Sequence, residues 1–386
     1  MKVACISASR VPSTTANSMQ VMKACQALSQ LGHEVQLFLP RLNHQLKNTD
    51  LTSFYGLSTK FPIEWLSSRT SLHRYDFAFQ AVRKARQQKS DLCYVWFFQA
   101  GIFSLLAHLP VIIELHGPPE GSFGPSLFRL FQRLPGKKRL LPITNALASQ
   151  LHARFNINLA DPYSLQISPN GVDLDRYAGL PEPSVARKTL GLPSAITVGY
   201  TGHLYQGRGM ALLLELARCF PAINFLWVGG RQGDVNIWRK HLAEENISNI
   251  TLIGFVENCQ LPMYQAAADI LLMPYESVIS GSSGGNSSSY ASPMKMFEYM
   301  ASKRPIISSD LPVIREILNP INAVLCPAQD IEAWSEALGN LIYDADKRQV
   351  LANQAWQDIQ QYSWLERARK ALEGFPNLPE KSTLNV

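Results

Sequence analysis

A lysine and a glutamate three residues apart, Lys295 and Glu298, lie in the segment SPMKMFEYMASKRPIISSD. A Ser-Pro pair precedes them and an apolar, β-type run follows, which predicts a short helix leading into a buried strand. On such a helix the two side chains share nearly one face. The ammonium group attracts a phosphate, and a carboxylate accepts two neighbouring hydroxyls, as in a ribose. The alternative is a surface ion pair between the two residues.

The start of this predicted helix adds further candidates. Pro293 is a favourable first helical residue. The N–H groups of Ser292, Met294 and Lys295 then lack partners inside the helix, and such groups bind anions at helix N-termini. We therefore predict that these three residues and Glu298 bind a charged, hydroxyl-rich ligand.

A second anion site is predicted by the segment VGYTGHLYQGRGMALLLELA. Gly202, Gly207 and Gly209 allow close approach of the backbone to a ligand, and Arg208 stands at the predicted helix start. The spacing is neither that of a dinucleotide-binding G-x-G-x-x-G loop nor that of a P-loop. We expect it to bind a diphosphate, with a purely structural turn as the alternative.

Two weaker candidates follow strands of the first half. Asn17 closes a polar loop after the first predicted strand, where the next helix offers its N-terminus to an anion or a sugar. A simple helix cap is the alternative for Asn17. His116 stands at a strand end in VIIELHGPPEG, where it can hydrogen-bond a sugar hydroxyl or a phosphate.

Composition indicates an ordinary globular protein and gives no sign of a disordered chain, a disulfide framework or a metal site. With 386 residues, 46% of them hydrophobic and 17% charged, the chain is globular and long enough for two domains. A net charge of +6 is compatible with an anionic ligand or a membrane surface but requires neither. The six cysteines form no C-x-x-C pair, which indicates buried thiols in a reducing compartment, and the eight histidines show no metal-ligand spacing.

The segment from Leu92 to Ile113 carries no charge and is long enough to span a membrane. Polar residues, glycine and proline interrupt it, however. We interpret it as a strand, a short helix and a strand, since buried parallel strands form continuous apolar runs. The start of the chain likewise predicts a first strand rather than a signal peptide.

Short apolar runs alternate with amphipathic helical patterns, and the alternation restarts near residue 195 after a Pro- and Gly-containing stretch. The chain therefore predicts an α/β fold of two doubly wound parallel-sheet domains, over 1–175 and 176–361, facing across a cleft. The Gly- and Ser-rich loop over 277–291 is expected to be mobile.

These features resemble a glycosyltransferase of the GT-B fold, similar to glycosyltransferase family 4 (group 1), in a variant with the pattern SPxKxxEYMA. The resemblance covers nearly the whole chain, and its order and spacing are specific. It rests on LSQLGHEVQLFLP, SPNGVD, GHLYQGRGMALLLELA, GFVENCQLPMYQAAADILLMPY, SPMKMFEYMASKRPIISSDLPVIREIL and YSWLERARKALE. The last of these resembles the family's final helix, so we expect 362–386 to cross back to the first domain and end in a tail.

The resemblance implies transfer of a sugar from a nucleotide-diphosphate donor, with retention at the anomeric carbon and without a metal or other cofactor. It assigns the donor ribose to Glu298. The diphosphate is assigned to Arg208, to Lys295 and to the amides near Gly202. The backbone at Phe255 and Val256 is expected to meet the base, and His116 the transferred sugar or its phosphate.

Three departures from the family pattern matter. Tyr290 stands where the common pattern has a second glutamate, a feature that the SPxKxxEYMA variant shares. The usual double glycine of the first loop is missing, which leaves Asn17 as the candidate there. His203 replaces an arginine common in the second loop, which weakens the expected phosphate contact.

Two alternatives remain at this point: a catalytically silent sugar-nucleotide-binding subunit, and a sugar-nucleotide epimerase on the same fold. The acceptor is expected to be a glycan, a lipid-linked sugar or a small molecule, and no nucleic-acid partner is expected. The basic and apolar segment 128–141 predicts either a membrane-surface patch or a solvated helix and loop. We expect a cytoplasmic protein, peripheral on the inner membrane face if that patch binds lipid.

Overall fold

The computed structural model describes residues 1–41, 50–279 and 286–375. The chain forms two compact units: unit 1, Met1–Pro169 with Trp364–Val386, and unit 2, Asn170–Ser363. The borders expected from the sequence, 175/176 and 361/362, lie a few residues from these. The expected tail at the end of the chain and the centre of the Gly- and Ser-rich loop lie outside the described residues.

Unit 1 contains a six-stranded parallel sheet in the order β3-β2-β1-β4-β5-β6. Its elements are β1 Lys2–Ile6, α1 Ala16–Gln30, β2 Glu34–Pro40, α2 Leu51–Tyr55, β3 Ile63–Leu66, α3 Tyr75–Gln87, β4 Leu92–Val95, α4 Phe98–Leu106, β5 Val111–Leu115, α5 Gly124–Arg133, β6 Lys138–Pro142 and α6 Asn145–Phe155.

Unit 2 repeats this architecture with a parallel sheet in the order β12-β11-β10-β7-β8-β9. Its elements are α7 Pro183–Leu190, β7 Thr197–Thr201, α8 Met210–Cys219, β8 Asn224–Val228, α9 Gln232–Glu244, β9 Ile250–Gly254, α10 Leu261–Ala266, β10 Ile270–Met273, α11 Met294–Ala301, β11 Ile306–Ser309, β12 Val324–Cys326, α12 Ile331–Tyr343 and α13 Ala345–Ile359. The last helix, α14 Trp364–Leu372, belongs to unit 1.

The two doubly wound parallel sheets confirm the predicted fold class. The uncharged segment that starts at Leu92 divides into β4, α4 and β5, and every residue of the two strands is buried. Two parallel strands covered on both faces therefore explain its hydrophobicity. Within the part of the chain that the structure describes, no helix is long and apolar enough to cross a membrane.

Predictions of individual strands failed where only a few residues pair with the sheet. The apolar run SLQIS before the SPNG turn also predicts a strand, but only Leu165 bridges to the sheet, at Leu140. The next bridge lacks one of its two hydrogen bonds because Pro142 of β6 has no N–H, although the Ser168 N–H still donates to the Pro142 carbonyl at 2.9 Å. Conversely, α2 and β3 have no clear sequence pattern, and a buried lysine of α1 anchors their loop: the Lys23 Nζ atom donates to the Gly56 carbonyl at 2.6 Å.

The basic segment 128–141 does not form one surface patch, because Arg139 on β6 is only 1% exposed. Its guanidinium group donates to the carbonyls of Tyr163 at 3.1 Å, Ala371 at 2.9 Å and Glu373 at 2.8 Å. Two of these carbonyls lie at the C-terminal end of α14. Arg139 therefore caps that helix and holds it against the first sheet.

A second cation of the segment is also engaged internally. The Lys138 Nζ atom donates to the carbonyls of Phe131 at 3.1 Å and Gln132 at 2.7 Å, near the end of α5. The surface cations that remain on α5 are Arg129 and Arg133. The membrane-patch alternative for 128–141 is therefore reduced to part of one helix and the half-buried Lys137.

Replacing Arg139 with methionine should lower the free energy of unfolding by about 2–4 kcal/mol, because buried carbonyls lose a charged donor. The same substitution should accelerate hydrogen exchange of the α14 amides. Arg133→Met, on exposed α5, is the control and should change stability by less than about 0.5 kcal/mol. Equal effects of the two substitutions would contradict the capping role.

Candidate functional site

Helix α11 begins at Met294, one residue later than predicted, and Pro293 is its N-cap with φ −67° and ψ 122°. Ser292 therefore lies before the helix. The Asn170 amide N–H donates to the Ser292 hydroxyl at 3.1 Å, and Asn170 Nδ2 donates to the Ser292 carbonyl at 2.6 Å. The hydroxyl and the carbonyl of Ser292 thus fix the start of α11. The sequence predicts only a ligand role for the Ser292 N–H group and does not indicate this structural role.

The Lys295 side chain lies on aromatic rings. Its Nζ atom is 4.1 Å from the centroid of the Tyr200 ring and 5.3 Å from that of Tyr275. A Cβ atom on Gly202, whose φ is +146°, would lie 2.7 Å from Lys295 Nζ. The glycine is therefore required by its backbone conformation, and a side chain at this position would also displace the Lys295 ammonium group.

Arg208 rests on the same group of tyrosines. Its guanidinium carbon is 5.1 Å from the Tyr205 ring centroid and 5.2 Å from that of Tyr275, and Nη2 donates to the Tyr205 hydroxyl at 3.0 Å. Burial, and then the charge of Arg208, hold the pKa of Lys295 well below its ordinary value, with Glu298 acting in the opposite direction. The site therefore concentrates positive charge that an anion would relieve.

The glycine amides of the β7–α8 loop already have partners inside unit 2. The Gly202 N–H donates to the Val228 carbonyl at 2.9 Å. The amides of Gly207 and Gly209 donate to the Glu276 carboxylate at 3.2 and 3.3 Å. These three glycine amides are therefore engaged within unit 2, and the expected binding of the diphosphate by the amides near Gly202 stays a prediction. In this arrangement the loop allows a ligand to approach the backbone closely and contributes the side chain of Arg208.

His203 is neutral at pH 7. Burial first, and then the nearby cations Arg208 and Lys295, lower its pKa to about 4. The imidazole stacks on the Tyr205 ring with centroids 5.1 Å apart, and the His203 carbonyl accepts the Tyr200 hydroxyl at 2.6 Å. Its side chain thus supplies no positive charge where the family pattern commonly has an arginine, and the weaker phosphate contact stays a prediction.

Glu298 lies one turn into α11, beside a network of polar side chains. Gln265 Nε2 lies 3.5 Å from a Glu298 carboxylate oxygen and 3.3 Å from the Thr201 hydroxyl. The Tyr177 hydroxyl donates to Gln265 Oε1 at 2.8 Å and so sets the direction of that amide. Glu298 is therefore held by an oriented glutamine on its own unit.

The remaining candidates of unit 2 lie at its loops. The Phe255 ring is 51% exposed after β9, and Val256 packs against buried Leu226 and Val228. Tyr290 is half-buried in a turn, with its N–H on the Ser287 carbonyl at 3.0 Å.

In unit 1, Asn17 is not the N-cap of α1. The helix begins at Ala16 and Thr15 caps it, its hydroxyl accepting the Ser18 N–H. Asn17 Nδ2 instead donates to the Ser9 hydroxyl at 2.8 Å and ties the polar loop after β1 to the helix. The sequence located the loop correctly but not the capping residue.

His116 follows β5, and its side chain is 30% exposed. Its Nε2 atom lies 3.1 Å from the carboxylate of Glu114, which is fully buried. That carboxylate also accepts Arg367 Nη1 at 2.6 Å, Trp96 Nε1 at 3.1 Å and the Tyr94 hydroxyl. Burial alone would raise the pKa of Glu114, but Arg367 and His116 hold it well below its ordinary value.

Sequence reasoning missed four residues that position these candidates: Glu114, Asn170, Glu276 and Arg367. A signal existed for Glu114, a lone charge inside the apolar run VIIEL, and for Asn170, within the quoted SPNG turn. Glu276 and Arg367 carry no local signal, since their partners are 69 and 253 residues away.

Comparison with known proteins agrees with this architecture. The family model "Glycosyltransferase Family 4" matches residues 18–176, and the model "Glycosyl transferases group 1" matches 195–344. The structure of Anabaena HepE in complex with UDP-glucose is similar at a TM-score of 0.72 and 17% identity, covering 98% of this chain and 100% of that one. Sucrose-phosphate synthase from Thermosynechococcus elongatus matches at a TM-score of 0.73 and 15% identity, covering 96% of each chain.

Curated relatives match over shorter lengths. The D-inositol 3-phosphate glycosyltransferase of Corynebacterium urealyticum is 26% identical over 226 residues, 54% of this chain and 50% of that protein. The phosphatidyl-myo-inositol mannosyltransferase of Mycobacterium leprae is 26% identical over 266 residues, 67% and 65% of the two chains. The matched part thus spans about half to two thirds of these relatives.

Two doubly wound parallel sheets, the second with paired cations beside a helix N-terminus, define the architecture of a GT-B glycosyltransferase. Since one model matches in each unit, the chain belongs to the glycosyltransferases of family 4 and group 1.

Lys295→Met should raise the free energy of unfolding by about 1–2 kcal/mol near pH 6, because it removes a charge that the folded state disfavours. The folded-state pKa is lowered, so the unfolded chain binds the proton more tightly and wild-type stability rises with pH up to about 10.4. The gain from methionine should therefore shrink as the pH rises. Thermal unfolding measured at several pH values tests this.

Lys303→Met is the matched control, since the Lys303 Nζ atom also lies over a ring, that of Trp356 at 4.3 Å, but the residue is exposed. It should leave stability nearly unchanged. An equal increase in stability from both substitutions would show that the charge of Lys295 destabilises the folded protein no more than the charge of an exposed lysine.

Proposed function

We propose that this protein is a retaining glycosyltransferase that moves a sugar from a nucleotide-diphosphate sugar to a carbohydrate or lipid-linked acceptor. The observation that carries the proposal is the pair of cations, Lys295 and Arg208, held on three tyrosine rings beside the N-terminus of α11. The complexes of the structural neighbour HepE with UDP and with UDP-glucose support the choice of donor class.

In the proposed site, Lys295 and Arg208 bind the two phosphates, together with the amides at the start of α11. The Glu298 carboxylate accepts the two ribose hydroxyls. The base lies against the backbone at Phe255 and Val256. Each contact uses a residue of unit 2, so this unit alone is expected to bind the nucleotide.

The mechanism follows from the charge that develops as the bond breaks. Cleavage of the sugar–phosphate bond gives an oxocarbenium-like sugar and a diphosphate leaving group. Lys295 and Arg208 stabilise that leaving group because their positions are fixed before the reaction begins. Because these two fixed cations neutralise the diphosphate, we propose that no metal ion is required.

The acceptor's proton passes, in this proposal, to an oxygen of the leaving phosphate on the face of the sugar that the acceptor attacks. Bond formation and cleavage on one face give retention at the anomeric carbon. No side chain is assigned as a covalent nucleophile.

UDP binding, measured by calorimetry beside GDP and ADP, tests the donor site. Glu298→Gln should weaken binding of the preferred nucleotide by about 10- to 100-fold, because a charged acceptor of two hydroxyls is lost. The exposed Glu332→Gln on α12 is the control and should bind as wild type. The 2′-deoxynucleotide should bind the wild-type protein weakly. Glu298→Gln should weaken its binding little further, because both changes remove the same interaction.

Full affinity of Glu298→Gln for the ribonucleotide would contradict the assigned ribose contact. Binding of a nucleotide sugar without hydrolysis or transfer to any acceptor would instead identify a silent binding subunit. Interconversion of the donor sugar without transfer would identify an epimerase.

We further propose that the protein acts in the cytoplasm and contacts the inner membrane face through the exposed side of α5. Support comes from Phe123, 73% exposed, and Leu130, 44% exposed, next to the exposed cations Arg129 and Arg133. All six cysteines are free, which supports a reducing compartment, although Cys219 and Cys259 are exposed rather than buried as expected.

Co-sedimentation with vesicles of phosphatidylglycerol and phosphatidylcholine should show binding that weakens with salt. Reversing both arginines, Arg129→Glu with Arg133→Glu, should weaken it at least about tenfold. Lys188→Glu, on the exposed side of α7 in unit 2, is the control. Salt-insensitive binding, or none, would make this side of α5 ordinary surface.

A further inference from the structure

Polar side chains of five residues converge on the buried carboxylate of Glu114. One carboxylate oxygen, Oε1, accepts Arg367 Nη1 at 2.6 Å and the Tyr94 hydroxyl. The other, Oε2, accepts Trp96 Nε1 at 3.1 Å and the Gln20 amide, and it lies 3.1 Å from His116 Nε2.

The charge of Glu114 decides the direction of the contact with His116. The guanidinium group of Arg367, itself buried with 4% of its side chain exposed, keeps the pKa of Glu114 well below its ordinary value despite burial. An ionised carboxylate only accepts hydrogen bonds. The proton in the contact therefore resides on His116 Nε2.

We propose that Glu114 is a positioning residue that fixes His116 as the Nε2–H tautomer and so presents Nδ1 to the substrate as a hydrogen-bond acceptor. Nδ1 makes no hydrogen bond within the part of the chain that the structure describes, and the ring is 30% exposed. The proposal rests on the proposed glycosyltransferase function.

This assignment separates the two roles that the sequence left open for His116. A neutral imidazole with its proton on Nε2 has only a lone pair at Nδ1. A lone pair accepts a hydrogen bond from a hydroxyl group, but it cannot bind an ionised phosphate, which is itself only an acceptor. With the neutral ring that the proposal requires, His116 binds a hydroxyl of the sugar or of the acceptor, and a ring protonated on both nitrogens in NMR spectra would overturn this assignment.

The same carboxylate connects His116 to the last helix. Arg367 on α14 keeps Glu114 ionised, and without it the buried carboxyl would tend to bind a proton and become a donor. The direction of the His116 hydrogen bond then reverses. The tautomer at the end of β5 thus depends on a residue far along the chain.

Long-range proton–nitrogen NMR spectra of the full chain with ¹⁵N-labelled histidine, at pH 8, test the proposal without substrate. The His116 signals are assigned with His116→Gln. The expected result is a protonated Nε2 and a bare Nδ1. A wild-type ring with its proton on Nδ1, or with both tautomers equally populated, would overturn the proposal, whatever happens to any variant.

Glu114→Gln gives a second readout, because a glutamine amide also donates and so permits the Nδ1–H tautomer. We expect this tautomer to appear and kcat/KM to fall about 10- to 100-fold, mainly through kcat. Asp269→Asn in unit 2 is the control, since it removes the charge of a half-buried carboxylate that pairs with a buried arginine, Arg187, at 2.7 Å. It should leave the His116 spectrum unchanged.

If Glu114→Gln does not fold, Arg367→Gln tests the same step by removing the cation that keeps Glu114 ionised. An unchanged His116 tautomer in a folded variant of either kind counts against the proposal. The Nε2–H tautomer combined with no nucleotide-sugar binding would leave the geometry intact and refute the proposed function instead.

Discussion

The buried pair of Glu114 and Arg367 is the interaction on which unit 1 depends, with 0% and 4% of their side chains exposed. Removing two charges from water costs several kcal/mol each, and only extensive hydrogen bonding offsets it. Arg367 also donates to the carbonyls of Pro169 at 2.7 Å and Ser168 at 3.3 Å, the last residues before unit 2. One pair therefore sets the place of α14, of the end of the first segment and of His116.

Unit 2 uses charge differently. Lys295 and Arg208 rest on tyrosine faces, where cation–π attraction replaces part of the lost hydration. The Glu276 carboxylate accepts the glycine amides on both sides of Arg208 and so fixes the backbone that carries this arginine. Positive charge is thereby held ready at a cost in stability, as is common where a site must bind an anion.

Local patterns predicted most of the secondary structure. The runs EVQLFLP and NALASQLHARF predict a strand and a helix, and the structure has them as Glu34–Pro40 and Asn145–Phe155, because hydrophobic period and capping residues are local signals. Predictions failed where a single bridge replaced a strand, at Leu165, and where Thr15 rather than Asn17 capped α1. At the cap several residues of suitable type compete, and at Leu165 a proline of the neighbouring strand limits the pairing, so in both cases contacts beyond the local pattern decide the outcome.

The sequence by itself determined the two doubly wound sheets and the residues that bear charge beside α11, because residue type and spacing alone decide which chemistry a helix terminus offers. Tertiary structure decided which of these groups have internal hydrogen-bond partners and which are protonated. It gave the amides of Gly202, Gly207 and Gly209 to internal partners, and it brought Arg367 across 253 residues to the carboxylate beside His116. Hydrogen-bond partners and burial set protonation, and both arise only when distant segments pack together.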